Sequence, residues 1–309
     1  MEDFGMTHSP SRPVRKCRAV AGAAVASAAL LSLCAPTATA QNAAITSADG
    51  PNYVALGDSY ASGAGLAGVK DEECDRTTGS YAGLIAGTDA VKGLNRAFKD
   101  VTCSGATTRS IWNHQGTKPP QANALTANTK LVTLTLGGND VGFTEILAKC
   151  WSVAASDPDG SPCKESYRPG GKDVLGERIN TMEGRIREVL KDVRRRSPDA
   201  KVIVVGYPAL FPDNGVRCPE VPFAQGDFAF LRDMTKKVNR ALERQAVAGG
   251  VGMSFADTYT PTVGHDMCQP RERRWFESLT PAANTLAAHP NASGQFAMAV
   301  VAYGQIVKP

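Results

Sequence analysis

Beyond its first forty residues the chain has no apolar run of about 18 residues, roughly the least that crosses a bilayer, so no stable membrane insertion is expected. It has no Cys-x-x-Cys pair, and its His and Cys lack ligand spacing, which argues against zinc; no metal or other cofactor is expected. No serine lies in Gly-x-Ser-x-Gly. Ser59 comes nearest but has Ala61 where the second glycine belongs, which speaks against an α/β-hydrolase nucleophile elbow. Histidine is scarce: four in all, and only His114, His265 and His289 after residue 40. Strong charge of either sign is missing too. The formal net charge is +4, and losing Glu2, Asp3, Arg12, Arg15, Lys16 and Arg18 would leave the rest of the chain near neutral, which argues against nucleic acid as a partner. The one basic run, Arg194-Arg195-Arg196, falls at the expected end of a helix, where positive charge suits the macrodipole.

What is present begins with a leader. The four basic residues precede an apolar stretch from Ala19 to about Cys34, and Ala38-Thr39-Ala40 has the small-x-small pattern of a cleavage site. Residues 1–40 therefore read as a secretory signal peptide, and residues 41–309 as a single exported domain, expected to be monomeric. Cysteine usage agrees with export. Cys17 and Cys34 leave with the leader; Cys74, Cys103, Cys150, Cys163, Cys218 and Cys268 form an even set suited to three disulfides in an oxidising compartment. Six cysteines allow about 15 pairings, of which nearest-neighbour pairing is the simplest.

Short β-branched runs alternate with longer amphipathic ones, the pattern of a parallel sheet covered by helices. The expected strands are residues 53–56, 96–102, 131–136, 201–205 and 252–255. Expected helices cover 172–196, 227–248 and 290–306, with Pro290 suited to a first helical position. Pro- and Gly-rich stretches at 157–171, 208–226 and 264–281 read as long loops bordering cysteines.

In such a sheet, ligands bind beyond the carboxyl ends of the strands. Gly57-Asp58-Ser59-Tyr60, Cys103-Ser104-Gly105-Ala106-Thr107 and Gly137-Gly138-Asn139-Asp140 each follow an expected strand, and His289-Pro290-Asn291 precedes the last helix. Ser59 in a tight turn at a helix start suits a nucleophile. His289, held extended by the following proline near a positive helix end, suits a neutral general base. His114 reads as surface, and His265 lies in a cysteine-tied loop beside Asp266 and Cys268. The Ser59 and Gly105 N–H groups and the Asn139 amide are candidate oxyanion donors, and Asp58 and Asp140 are acceptors that would hold the turns. Ala61, Ala64, Leu66, Phe143, Ile146 and Leu147 follow these blocks and could line an acyl groove, though apolar residues there are more often core.

Taken in order, the blocks resemble the SGNH (GDSL-type) hydrolases, with the family's Ser, Gly, Asn and His matched at Ser59, Gly105, Asn139 and His289 across about residues 52–307. The six cysteines and the Cys-Ser-Gly-Ala-Thr block are similar to the secreted bacterial lipase and esterase branch. The resemblance implies a flavodoxin-like three-layer α/β/α sandwich with a five-stranded parallel sheet, three sequential disulfides and metal-free carboxylester hydrolysis. Many members carry an Asp three residues before the His, where this chain has Leu286. The resemblance then implies a main-chain carbonyl, that of Leu286, as the partner of His289, with the Asp266 carboxylate as the alternative. An esterase acting on fatty-acyl or lipid esters is the first expectation, a polysaccharide deacetylase the second, and a non-catalytic lipid- or glycan-binding protein the third.

Overall fold

The structure is a computed structural model that describes residues 50–92 and 97–308, all within one compact unit spanning Thr46–Pro309. The expected signal peptide and Arg96 lie outside the described residues. Along the chain the strands are β1 (Tyr53–Gly57), β2 (Val69–Asp71), β3 (Arg76–Thr77), β4 (Phe98–Asp100), β5 (Leu131–Thr135), β6 (Lys201–Val205) and β7 (Met253–Ala256). The helices are α1 (Ser59–Ser62), α2 (Tyr81–Ala86), α3 (Asp89–Lys92), α4 (Gly138–Val141), α5 (Phe143–Val153), α6 (Pro162–Ser166), α7 (Val174–Arg196), α8 (Gln225–Ala248) and α9 (Ala292–Val307).

Five strands form one sheet in the order β4-β1-β5-β6-β7, every pair parallel, while β2 and β3 make a small antiparallel ribbon. This is the flavodoxin-like order, in which the chain steps one way from β1 to β4 and the other way from β1 to β5, so a crevice opens at the carboxyl end of β1. β1 and β5 are buried along their whole length, as expected of strands covered on both faces. α7 and α8 pack on each other, and α2 packs on α9. α7 buries Leu175, Ile179, Met182, Ile186, Val189, Leu190 and Val193, the three-and-four spacing read from the sequence, and Asp173 caps it by accepting from Gly176 N–H.

Three local findings refine the expectations. Pro290 lies outside α9, because Asn291 is the cap: its Oδ1 accepts from the N–H groups of Ser293 and Gly294. The arginine run is occupied at its helix end, with Arg194 donating to the carbonyls of Pro198, Ala200 and Val251 and Arg196 paired with Asp192 at 2.9 Å. The disulfides join Cys74 to Cys103, Cys150 to Cys163 and Cys218 to Cys268, the nearest-neighbour set.

The Cys218–Cys268 bridge closes a sequence separation of 50 residues and ties the loop after β6 to the loop after β7, both at the carboxyl edge of the sheet. Replacing both cysteines with serine is expected to cost about 2–4 kcal/mol, the usual range for a native disulfide, read as a lower urea midpoint than the parent protein.

Candidate active site

Ser59 is the first residue of α1, immediately beyond β1. Three groups shape its turn. Gly57 has φ of 143°, and a Cβ there would come within 2.4 Å of the Thr135 carbonyl oxygen, so the site accepts only glycine. Gln121 grips Gly57 from both sides, accepting its N–H at 2.8 Å and donating to its carbonyl at 2.9 Å. Asp58 caps α1 by accepting the Tyr60 N–H at 3.0 Å.

The base arrives from the other end of the chain. His289 Nε2 lies 2.8 Å from Ser59 Oγ, and its Nδ1 lies 2.8 Å from the Ala287 carbonyl oxygen. A carbonyl only accepts, so Nδ1 carries the proton and Nε2 presents a lone pair to the serine hydroxyl. The expected partner was the carbonyl of Leu286; the structure corrects this to Ala287. Ala288 has φ of 59°, a left-handed turn that folds the carbonyl two residues before the histidine back beneath its own ring. Leu286 instead packs against Gly65, where an added Cβ would meet Leu286 N at 2.5 Å. Burial lowers the pKa of His289, offset in part by the Ala287 hydrogen bond and the charge of Asp75. The ring is thus biased toward the neutral form, through desolvation more than through the helix field expected from the sequence.

Asp266 does not serve His289. Its carboxylate is buried and accepts the Cys268 N–H at 3.0 Å, and burial raises its pKa. His265 stacks flat on Trp275, with ring centroids 3.5 Å apart and an interplanar angle of 2°.

Asn139 lies in the first turn of α4 and donates through Nδ2 to the Ala106 carbonyl at 2.9 Å, which leaves its second amide hydrogen for another acceptor. Among the described residues the N–H groups of Ser59 and Gly105 make no hydrogen bond. Asp140 accepts from both the N–H and the hydroxyl of Thr108, and so joins the turn after β5 to the loop after β4.

Several residues that hold this arrangement were not singled out from the sequence. Tyr60 donates to the Ala288 carbonyl at 2.6 Å, fixing the chain just before His289, and Gln295 donates to the Tyr60 carbonyl at 3.0 Å. The Tyr207 hydroxyl donates to Asp58 Oδ2 at 2.5 Å and accepts the Gly138 N–H at 2.8 Å. Tyr207 could have been flagged by its place, because Gly206-Tyr207-Pro208 follows β6 as the other blocks follow their strands.

Ser59, Asn139 and His289 open into a cleft whose apolar walls include Val141, Phe143, Leu210, Met234 and Val238. Gly105 is not among its lining residues. Of the groove candidates, only Phe143 lines it; Leu66, partly buried, does not, and Ala61 on α1, Ala64 just beyond it, and Ile146 and Leu147 on α5 are buried in the core. Among the described residues no cluster of His, Cys, Asp and Glu could hold a metal ion, and no helix is long and apolar enough to cross a membrane.

Burial also raises Asp58 to a pKa of about 7, against the hydrogen bonds from Tyr207 and Tyr60 that lower it. Between its unfolded value near 4 and that folded value, the native state binds the extra proton, so the stability this group contributes falls as pH rises through the window. The melting temperature of Asp58→Asn relative to the parent should therefore climb between pH 5 and pH 8, and a constant difference would contradict the burial argument.

The sequence matches the GDSL-like lipase/acylhydrolase family over residues 55–296. It is 35% identical over 294 residues to Lipase 2 of Streptomyces coelicolor, covering 93% of this chain and 96% of the relative. It is 30% identical over 319 residues to an esterase of Streptomyces scabiei, covering 90% and 91%. The fold matches the crystal structure of phospholipase A1 from Streptomyces albidoflavus NA297 with a TM-score of 0.67 at 28% identity, over 83% of this chain and 99% of that one. Together with the site geometry, these matches show that the chain belongs to the GDSL-like lipase/acylhydrolase family and is a carboxylic ester hydrolase.

Proposed function

We propose that the protein is a secreted hydrolase of fatty-acyl and lipid esters that works through a Ser59–His289 dyad and an acyl-enzyme. The observation that carries this reading is the 2.8 Å approach of Ser59 Oγ to a His289 Nε2 whose partner nitrogen is committed to the Ala287 carbonyl. As Ser59 Oγ attacks the ester carbonyl, its proton passes to Nε2. The carbonyl oxygen gains the negative charge and is met by the N–H groups of Ser59 and Gly105 and the remaining amide hydrogen of Asn139. His289 then gives the proton to the departing alkoxide, and water attacks the acyl-serine by the same route to release the acid.

A carbonyl supports the imidazolium less than a carboxylate would. The reaction rests correspondingly more on the oxyanion donors. The apolar walls Val141, Phe143, Leu210, Met234 and Val238 favour an acyl chain over a sugar as the group seated beside Ser59. Three disulfides support maturation in an oxidising compartment, in keeping with the leader read from the sequence.

Ser59→Ala should lower p-nitrophenyl ester turnover by roughly three orders of magnitude or more and abolish labelling by a serine-directed phosphonate. Asp266→Asn should retain most turnover; a loss of several thousandfold in a folded variant would restore a carboxylate to the mechanism. Across p-nitrophenyl esters from acetyl to palmitoyl, with acetyl-xylan as the carbohydrate control, kcat/KM should be higher for medium and long acyl chains than for acetyl. Preference for acetyl-xylan would overturn the substrate class.

A further inference from the structure

We propose that Tyr207 is a positioning residue for ester hydrolysis: by donating to Asp58 Oδ2 and accepting the Gly138 N–H, it locks the nucleophile turn to the oxyanion turn. This rests on the Ser59–His289 reading above and adds to it a control that none of the sequence blocks contains.

The geometry is specific. Asp58 precedes the nucleophile and Gly138 precedes Asn139, so one phenol oxygen, at 2.5 Å and 2.8 Å, spans the residues next to both reacting groups. The main chain of Tyr207 is anchored as well. The Asn239 side chain on α8 accepts the Tyr207 N–H at 2.8 Å and donates to its carbonyl at 2.6 Å. Its ring meets that of Tyr60 in a T-shaped contact at 5.3 Å between centroids, and the Tyr60 hydroxyl holds the Ala288 carbonyl before His289. Tyr207 thus touches the nucleophile turn, the oxyanion turn and, through Tyr60, the segment carrying the base. A spacer would need only bulk, yet here both hydrogen-bonding functions of a buried hydroxyl are used.

The network also has a direction. The Gly138 N–H can only donate, so the phenol oxygen accepts there and sends its single proton to Asp58. Asp58 is then an acceptor at both oxygens, from Tyr207 and from the Tyr60 N–H. That arrangement fits the carboxylate. A proton on Oδ2 would face the phenol proton across 2.5 Å, so the phenol would have to turn its hydrogen away into a buried space. The ionisable groups around Asp58 are Tyr60 on α1, Tyr81 on α2, Asp140 on α4 and Tyr207 after β6; the tyrosines stay neutral and Asp140 opposes ionisation. The lock is therefore tightest above neutral pH and loosens as Asp58 takes up a proton.

The test is steady-state kinetics of the full protein on a soluble p-nitrophenyl ester across pH 5–9. Tyr207→Phe keeps the ring and loses both hydrogen bonds. It should lower kcat roughly 10- to 100-fold with KM within twofold, and move the acid limb of kcat to higher pH, since the bond that favours the carboxylate is gone. Asp58→Asn has no carboxylate to protonate and should lose the limb near neutrality, keeping only the lower one set by His289; this variant decides the matter if Tyr207→Phe does not fold. Unchanged kcat and limb in Tyr207→Phe, a loss of kcat that merely tracks the folded fraction, or a retained neutral limb in Asp58→Asn would each overturn the proposal. Full activity in Ser59→Ala would instead sink the dyad reading on which it rests.

Discussion

A neutral imidazole whose Nδ1 proton is held by a main-chain carbonyl is the constraint around which this site is arranged. The carbonyl of Ala287 fixes both the tautomer and the ring angle, and it can do so only because Ala288 turns through a left-handed conformation uncommon for a residue with a Cβ. Such a conformation persists where the surroundings impose it. Here they do: Ala288 N–H donates to the Glu277 carbonyl, Glu277 N–H donates to the His289 carbonyl, and Tyr60 holds the Ala288 oxygen. The base is set by backbone pairing, with a main-chain carbonyl in the place a carboxylate could have taken.

The second organising cost is the burial of Asp58. Its carboxylate is enclosed and its pKa is pushed up to about 7, so the fold keeps an acidic group in a place that disfavours its charge. That is the pattern expected where geometry at a site is held at the expense of stability. The return is a rigid connection between turns that belong to different strands. The hydrogen bond from Tyr207 reaches across 149 residues of sequence, and the Asp140–Thr108 contacts perform a similar service between the β4 and β5 edges.

Much of the architecture was legible in the residues. The strands at 131 and 201 announced themselves as β-branched runs, those at 53 and 253 as short stretches with apolar residues between turns, and α7 and α8 as apolar spacing, because an inner strand buries both its faces and each of these helices one. Ser59, Asn139 and His289 were legible because strand ends meet at one sheet edge, which turns chain order into proximity. What escaped was whatever depends on a partner chosen in three dimensions. Gln121 grips Gly57 from 64 residues away, and no local pattern marks a glutamine for that task. The shift from Leu286 to Ala287 depends on one backbone angle at Ala288, an alanine that carries no turn signature. The acyl cleft was placed too close to the motif blocks in sequence; beyond Val141 and Phe143, which do follow one of them, its apolar walls include Leu210 in the loop after β6 and Met234 and Val238 on α8.

The central claim is that His289 stands neutral, protonated at Nδ1, with Nε2 directed at Ser59. Nitrogen-15 NMR of the protein labelled in histidine reads this directly as pH is varied. The account predicts, at pH 7, a neutral ring whose proton resides on Nδ1, with a titration midpoint below the ordinary histidine value of about 6.5. A ring protonated at both nitrogens at pH 7, or a neutral one with its proton on Nε2, would contradict it.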